Sequence, residues 1–179
     1  MFEGKLYSSG VKVFDEDQAE QIHEDYYYGK FLENGDLHLS PSEAMHLVDR
    51  EEIVIEKNGD ELSRDELYDE FEAIDEEFGY KYPVYSDLRE RGLIVKSGFK
   101  FGSHFRVYER GVNPYTGGKK QQSQHTKYVV HAVPENHTMS FQEMSRAVRL
   151  AQNIRASMLW GVVDSEEGVT YYEVEHTSL

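Results

Sequence analysis

The chain has 179 residues, a formal net charge of −15 and a hydrophobic content of 39%. This length is enough for one or two small domains with cores of their own. The sequence contains no cysteine, which excludes disulfide bonds and zinc sites built on thiolates. It shows no apolar run long enough to span a membrane and no signal-peptide pattern, so we expect a cytoplasmic protein without a membrane partner.

Charge is divided unevenly along the chain. Residues 1–80 carry 6 Lys and Arg against 24 Asp and Glu, whereas residues 81–179 carry 13 against 10. The stretch 89–155 is the most basic, with 12 basic residues against 4 acidic ones. An acidic block followed by a basic block predicts two domains, which we place at 1–82 and 83–179. The acidic block is typical of a solvated surface, and the basic block is the better surface for a polyanion.

The first domain is predicted to mix strands and helices. Residues 2–14 predict two strands around a Ser-Ser-Gly turn, and residues 31–39 predict a hairpin around Asn-Gly. Two capping boxes, in which a serine precedes a glutamate by three residues, predict helix starts at Ser40 and Ser63. We expect the second of these helices to end near residues 79–83, at the domain boundary.

The second domain is predicted to contain a mixed sheet flanked by helices. A short helix is expected at residues 85–91, and a third capping box at Ser140 predicts a helix to about Ser157, with Phe141 opening its apolar stripe. Strands are expected at residues 104–109, 126–133, 158–164 and 169–175. The fold class is therefore mixed α/β, with a small mixed N-terminal domain and a larger C-terminal sheet domain.

Residues 98–133 hold the strongest candidates for chemistry. Tyr108 ends one predicted strand and His125 opens the next, with the polar loop 110–124 between them. A phenol and an imidazole at the ends of neighbouring strands could act as an acid/base pair. However, a tyrosine at a strand end usually packs against its neighbours, and a histidine there is usually a surface residue. The pair alone does not establish a site.

Six segments of the second domain occur together in one known family. They are residues 84–92 (VYSDLRERG), 95–102 (VKSGFKFG), 105–111 (FRVYERG), 125–128 (HTKY), 148–151 (VRLA) and 162–164 (VVD). In this order they closely resemble the catalytic half of archaeal tRNA-splicing endonucleases. The first domain resembles the same family mainly through residues 39–44 (LSPSEA).

The resemblance implies RNA cleavage that needs neither a metal nor a cofactor. The 2′-hydroxyl beside the scissile phosphate attacks it, which leaves a 2′,3′-cyclic phosphate and a 5′-hydroxyl. The implied substrate is precursor tRNA folded as a bulge–helix–bulge at the intron borders. This chemistry requires a base, an acid and a cation that stabilises the phosphorane. By motif, Tyr108 is the base and His125 is the acid.

The chain departs from the family at the third catalytic position. The resemblance implies a lysine after Arg155, but the residue there is Ala156, and no lysine follows Lys127. A phenol ordinarily titrates near pH 10 and needs nearby positive charge to act as a base near neutrality. Loss of such a preorganised charge typically lowers the rate by roughly 10²–10³. Arg155 is a poor substitute, since it would lie about 100° away around the predicted helix.

Two explanations of Ala156 stay open. A catalytic lysine was replaced by alanine to disable the enzyme, or the chain is a naturally inactive structural subunit, or RNA-binding scaffold, of a heteromeric splicing endonuclease. Retention of Tyr108 and His125 favours the first explanation. A third hypothesis is that the chain is an acidic adaptor protein that does not bind RNA.

The resemblance also implies binding roles. Arg149 matches an arginine that stacks on a flipped bulge base, and it would share a helix line with Ala156. Asp164, Glu166 and Glu167 lie in an acidic turn that docks into a basic cleft of a neighbouring unit. A chain of this length implies a homotetramer, held together in a salt-sensitive way.

Two lysines in the loop after Tyr108 are further candidates. Lys119 and Lys120 lie in the loop 110–124, which is longer than expected for the shortest family members. We expect them to contact substrate phosphates and to broaden the range of accepted RNA shapes.

Overall fold

The computed structural model describes residues 1–98, 102–115 and 125–179. They form two compact units, Met1–Tyr82 and Pro83–Leu179. Each unit contains one mixed sheet with helices packed on it. The predicted fold class, mixed α/β with a small mixed N-terminal domain and a C-terminal sheet flanked by helices, is confirmed.

The first unit is built on a six-stranded sheet. Its strands are β1 (Phe2–Tyr7), β2 (Gly10–Val13), β3 (Lys30–Phe31), β4 (Leu37–Leu39), β5 (Ile53–Lys57) and β6 (Asp60–Glu61). They lie in the order β3-β4-β2-β1-β5-β6, and only β1 and β5 run parallel. The two turn patterns thus predicted the β1–β2 and β3–β4 hairpins correctly.

Three helices accompany this sheet. They are α1 (Glu16–Glu24), α2 (Pro41–Asp49) and α3 (Arg64–Ile74). Both predicted capping boxes are present: the hydroxyls of Ser40 and Ser63 each accept a hydrogen bond from the backbone N–H three residues later. Local sequence therefore decides where α2 and α3 begin.

The helix at the division between the units was predicted wrongly. The sequence predicted a break near residues 79–83, but one helix, α4 (Phe78–Glu90), runs through Pro83. Pro83 is the sixth residue of α4, so it removes only one backbone bond near the start of the helix. The remaining turns keep their hydrogen bonds, and the helix continues.

The second unit contains a five-stranded mixed sheet and one further helix. The elements are β7 (Ile94–Ser97), β8 (Phe105–Tyr108), β9 (Tyr128–Pro134), α5 (Phe141–Asn153), β10 (Ser157–Val163) and β11 (Val169–Val174). The sheet order is β11-β10-β9-β8-β7, and β9 and β10 are its parallel pair.

Helices α4 and α5 cover opposite faces of this sheet. Trp160 of β10 packs in a core cluster with Val148 and Ala151 of α5. A Cβ on the next residue, Gly161, would meet both γ-methyls of Val84 in α4 at 2.9 Å. Because successive strand residues point to opposite faces, the two helices lie on opposite sides. Phe141 was predicted to open the apolar stripe of α5, but it is 85% exposed and takes no part in the core.

Helix α5 ends earlier than its sequence predicted. The Arg155 N–H donates to the Gln152 carbonyl at 3.0 Å, and the Ala156 N–H donates to the Ala151 carbonyl at 2.9 Å. Arg155 has φ 59°, in the left-handed region. These are the two bonds and the backbone reversal of a Schellman motif, in which glycine normally occupies the position of Arg155. The motif ends α5 and delivers Ala156 to the start of β10.

Glycine at position 155 is expected to stabilise the protein. Arg155→Gly relieves a left-handed conformation that disfavours side chains, so the free energy of unfolding should rise by about 0.5–1 kcal/mol. Arg149→Gly, in the interior of the same helix, is the matched control and should lower it by about 1 kcal/mol. Urea unfolding of both variants measures this, and equal losses in both would contradict the motif.

Tyr171 links β11 to α4 and makes stability sensitive to high pH. Its hydroxyl donates to Asp87 at 2.8 Å. Burial, and then the hydrogen bond to Asp87, raise the pKa of Tyr171 above its ordinary value. The pKa of Tyr171 is therefore higher in the folded protein than in the unfolded chain. The contribution of its protonated hydroxyl to the free energy of unfolding is complete below the unfolded pKa near 10 and is lost as the pH rises above that value.

The expected consequence is a flatter alkaline stability profile in Tyr171→Phe. Between pH 9 and pH 11.5, on the order of the interval in which an unfolded phenol ionises, its free energy of unfolding should fall less steeply than that of the parent. Tyr172→Phe is the control, since Tyr172 is 56% exposed on the same strand. Identical slopes in the parent and in Tyr171→Phe would show that the Asp87 contact does not matter.

Candidate active site

The ends of β8, β9 and β10 are held in line by the backbone of one residue. The Lys127 N–H donates to the Val107 carbonyl at 2.8 Å, and the Lys127 carbonyl accepts from the Ser157 N–H at 2.9 Å. Tyr108 follows Val107 and Ala156 precedes Ser157. Both therefore lie beside Lys127, one on each side, and neighbouring strands are about 4.8 Å apart. Their backbones should be on the order of 10 Å from each other.

Tyr108 and Ala156 also share one face of the sheet. Arg106 is directly opposite Val129, a member of the cluster that packs on α5. Tyr108 is two residues after Arg106 and so points to the same face. Ala156 packs against the same cluster. The predicted base and Ala156, the position at which the resemblance implies a lysine, thus lie at one end of the sheet, on the face that α5 covers.

The Tyr108 hydroxyl lies beside a permanent positive charge. Tyr108 is buried, and its hydroxyl accepts a hydrogen bond of 3.3 Å from Nη1 of Arg106. Nε of Arg106 donates to the Ser97 carbonyl at 2.8 Å, which anchors the guanidinium on β7. A buried phenol held against a guanidinium is suited to stabilise negative charge on its oxygen.

His125 lies at the same end of the sheet but outside the strand. The prediction that it opens β9 is wrong, because the strand begins at Tyr128. His125 is exposed and stands two residues before Lys127, whose backbone bonds join β9 to its neighbours. An exposed imidazole near a strand end is accessible to a bound molecule and can exchange protons with it.

Ala156 borders an open cleft of about 100 Å³. The cleft lies between the end of α5 and the strands β10 and β11; it is lined by Val148, Gln152, Ala156, Ser157, Met158, Glu173, Val174 and Glu175. Ala156 is half-buried. The cleft lies on the β11 side of Ala156, whereas Tyr108 lies on the side of β9 and β8.

The predicted positions of Arg149 and Arg155 on the helix need correction. Arg155 does not continue α5, because the left-handed turn ends the helix before it. For the same reason Arg149 and Ala156 do not share a helix line. Arg149 lies on α5 and is exposed.

The acidic turn between β10 and β11 is organised by its first carboxylate. Asp164 accepts hydrogen bonds from the N–H groups of Glu166 at 2.8 Å and Gly168 at 2.9 Å. Glu166 and Glu167 are exposed. Asp164 therefore shapes the turn, while the two glutamates present its charge to the surroundings. Lys119 and Lys120 lie outside the described residues.

The sequence reasoning missed two cations on the α5-facing side. Lys96 of β7 is directly opposite Arg106 and is buried, with Nζ donating to the Tyr115 hydroxyl at 2.6 Å. The alternation in residues 105–108 (FRVY) was the available signal, because it places Arg106 and Tyr108 on one face. In the described part of the chain, no cluster of three potential metal-ligating side chains occurs and no helix is long and apolar enough to cross a membrane.

Two family comparisons together match most of the chain. Residues 78–171 match the tRNA intron endonuclease catalytic C-terminal domain, and residues 2–68 match the N-terminal domain of the same family.

Archaeal proteins named tRNA-splicing endonuclease are similar over nearly the whole length. The protein from Thermococcus kodakarensis is 42% identical over 172 residues, which cover 95% of this chain and 96% of that protein. The one from Methanothermobacter thermautotrophicus is 38% identical, with 97% and 96% covered. The Methanococcoides burtonii protein is 35% identical, with 92% of this chain matched to 45% of that longer protein. This chain therefore belongs to the tRNA intron endonuclease family.

Proposed function

We propose that the chain is a tRNA-splicing endonuclease subunit whose site cuts precursor tRNA at bulge–helix–bulge intron borders. The observation that carries the proposal is the meeting of Tyr108, His125 and Ala156 at one end of the sheet, next to the backbone of Lys127. A phenol at the end of β8, an imidazole three residues before β9 and a third position for a cation just before β10 match the needs of phosphodiester transfer.

In this proposal Tyr108 and His125 move the protons. Tyr108, in its phenolate form, accepts the proton of the 2′-hydroxyl and becomes a neutral phenol, while the 2′-oxygen attacks the adjacent phosphorus. The bond from phosphorus to the 5′-oxygen breaks, and the protonated His125 imidazole donates a proton to that oxygen. The products are a 2′,3′-cyclic phosphate and a 5′-hydroxyl, and the step needs no metal. The Arg106 contact supports the assignment of the base, and the exposure of His125 supports that of the acid.

The position of Ala156 leaves this site short of one positive charge. A methyl group cannot stabilise the phosphorane, whereas a lysine extending from the same backbone position on the Tyr108 face could approach it. The chain as it stands is therefore an impaired enzyme.

Other groups are proposed to bind the RNA and a second copy. Arg149, exposed on α5, would stack on a bulge base, and Lys119 and Lys120 would contact phosphates. Glu166 and Glu167, held outward by the turn, would dock into a basic surface of another copy in a homotetramer.

The second candidate function is that of a non-catalytic structural subunit that binds RNA within a heteromeric enzyme. One observation favours it, namely Ala156 at the end of the sheet where a cation is needed. A catalytic subunit would then supply the chemistry.

Restoring the lysine separates the two candidates. Ala156→Lys should cleave a bulge–helix–bulge RNA at both bulges, at least 10²-fold faster than the parent, since a preorganised charge is worth roughly 10²–10³ in rate. Single-turnover cleavage measures this. Ala156→Met, an uncharged and unbranched side chain, is the matched control and should cleave no faster than the parent. If Ala156→Lys and the parent both bind the RNA and neither cuts, the chain is a structural subunit.

The acid is tested in the Ala156→Lys background. His125→Ala should lower the cleavage rate by about 10²–10⁴, the usual contribution of a general acid, without changing the thermal midpoint, because His125 is exposed. His137→Ala removes another exposed histidine and should keep the rate within about threefold. Full activity in His125→Ala would remove His125 from the reaction.

A further inference from the structure

Arg106 makes two hydrogen bonds that fix its guanidinium beside the proposed base. Nε donates to the Ser97 carbonyl on β7 at 2.8 Å, and Nη1 donates to the Tyr108 hydroxyl at 3.3 Å. The bond to Ser97 fixes the orientation of the guanidinium plane. In this orientation Nη1 lies within hydrogen-bond distance of the phenol oxygen of Tyr108. Both residues belong to β8 and point to the α5-facing side.

This geometry determines which way the hydroxyl proton can point. A guanidinium carries only donors, so the Tyr108 oxygen must be the acceptor in their contact. The hydroxyl proton is then directed away from Arg106. Once the phenol has lost that proton, the same contact becomes a charge-assisted hydrogen bond, which is stronger than a bond to a neutral hydroxyl. The contact therefore favours the form of Tyr108 that accepts a proton.

Two lysines occupy neighbouring positions in the sheet. Lys96 on β7 lies directly opposite Arg106. Lys127, the residue before β9, lies beside Tyr108 through its backbone, and its ammonium pairs with Glu109. Arg106 differs from both lysines, since it bonds directly to the phenol oxygen.

We infer that Arg106 is the positioning residue of the tyrosine base: its guanidinium orients the Tyr108 hydroxyl and supplies the positive charge that lets it accept the 2′-hydroxyl proton. This inference rests on the proposed function and deepens it. It assigns Arg106 a role distinct from that of position 156. Arg106 acts on the base from β8, whereas position 156 lies at the start of β10, where a cation would act on the phosphate.

The alternative is that Arg106 has only a structural role, in which its hydrogen bond to Ser97 stabilises the pairing of β7 with β8. The test therefore needs a readout that bracing does not move, and the dependence of the rate on pH is such a readout. Single-turnover cleavage of a bulge–helix–bulge RNA is measured from about pH 5 to about pH 10, with Ala156→Lys as the parent. RNA affinity and thermal unfolding are measured alongside.

Arg106→Gln keeps an N–H donor but removes the charge. Its maximal rate should fall about tenfold or more, and the pH of half-maximal rate should rise by about one unit or more, because an adjacent cation favours the ionised phenol. Arg106→Lys keeps the positive charge but loses the planar set of guanidinium donors. Its pH of half-maximal rate should stay within about half a unit of that of the parent. If Arg106→Gln does not fold, the pH profile of Arg106→Lys still tests the inference. Arg50→Gln is the control; it removes an arginine of the first unit, ion-paired with Glu52, and should change neither quantity.

Three results from the Arg106 variants would overturn the inference while leaving the proposed function in place. The first is a rate and a pH of half-maximal rate in folded Arg106→Gln that match the parent. The second is a lower rate at an unchanged pH of half-maximal rate, which is the mark of bracing alone. The third is an Arg106→Lys pH profile shifted upward by more than about one unit, the smallest shift expected from loss of an adjacent charge. If Ala156→Lys itself binds RNA and does not cut it, the proposed function fails, and the inference fails with it.

Discussion

Two backbone hydrogen bonds of Lys127 bring the residues of the candidate active site to one end of the sheet. Its N–H binds the Val107 carbonyl and its carbonyl binds the Ser157 N–H, at 2.8 and 2.9 Å. These bonds join an antiparallel neighbour to a parallel one. As a result, Tyr108, at the end of β8, and Ala156, just before β10, lie on either side of Lys127 although they are far apart in sequence. The site is thus a consequence of mixed sheet topology, and no single segment contains it.

The second constraint is the turn that ends α5. The chain must leave the helix, reverse and enter β10 parallel to β9, and the Schellman bonds of Arg155 and Ala156 achieve this. Arg155 adopts a left-handed conformation that costs roughly 1–2 kcal/mol for a side-chain-bearing residue. The same turn puts Ala156 on the face shared with Tyr108.

The reliability of sequence reasoning varied with the range of the interaction. The capping boxes at Ser40, Ser63 and Ser140 were predicted correctly, because a cap is decided within four residues. The end of α5 was missed, because Arg155 occupies the left-handed position where glycine would normally mark a helix end. The helix through Pro83 was missed because proline locally indicates a break, whereas the backbone hydrogen bonds of the other residues of α4 keep the helix continuous. In the candidate site, the motif singles out Tyr108, whose role as the base stays a prediction, while its contact with Arg106 required the side-chain geometry of the strand.

The chemistry of the cut ends is the most direct test of the account. The measurement is end-group analysis of precursor tRNA cleaved by the Ala156→Lys chain in the presence of a chelator, with a matched RNA lacking the 2′-hydroxyl at the scissile nucleotide. The account predicts 2′,3′-cyclic phosphate and 5′-hydroxyl ends, and no cleavage of the 2′-deoxy RNA, because the 2′-oxygen is the nucleophile. Ends that carry 3′-hydroxyl and 5′-phosphate groups, or cleavage of the 2′-deoxy RNA, would contradict it.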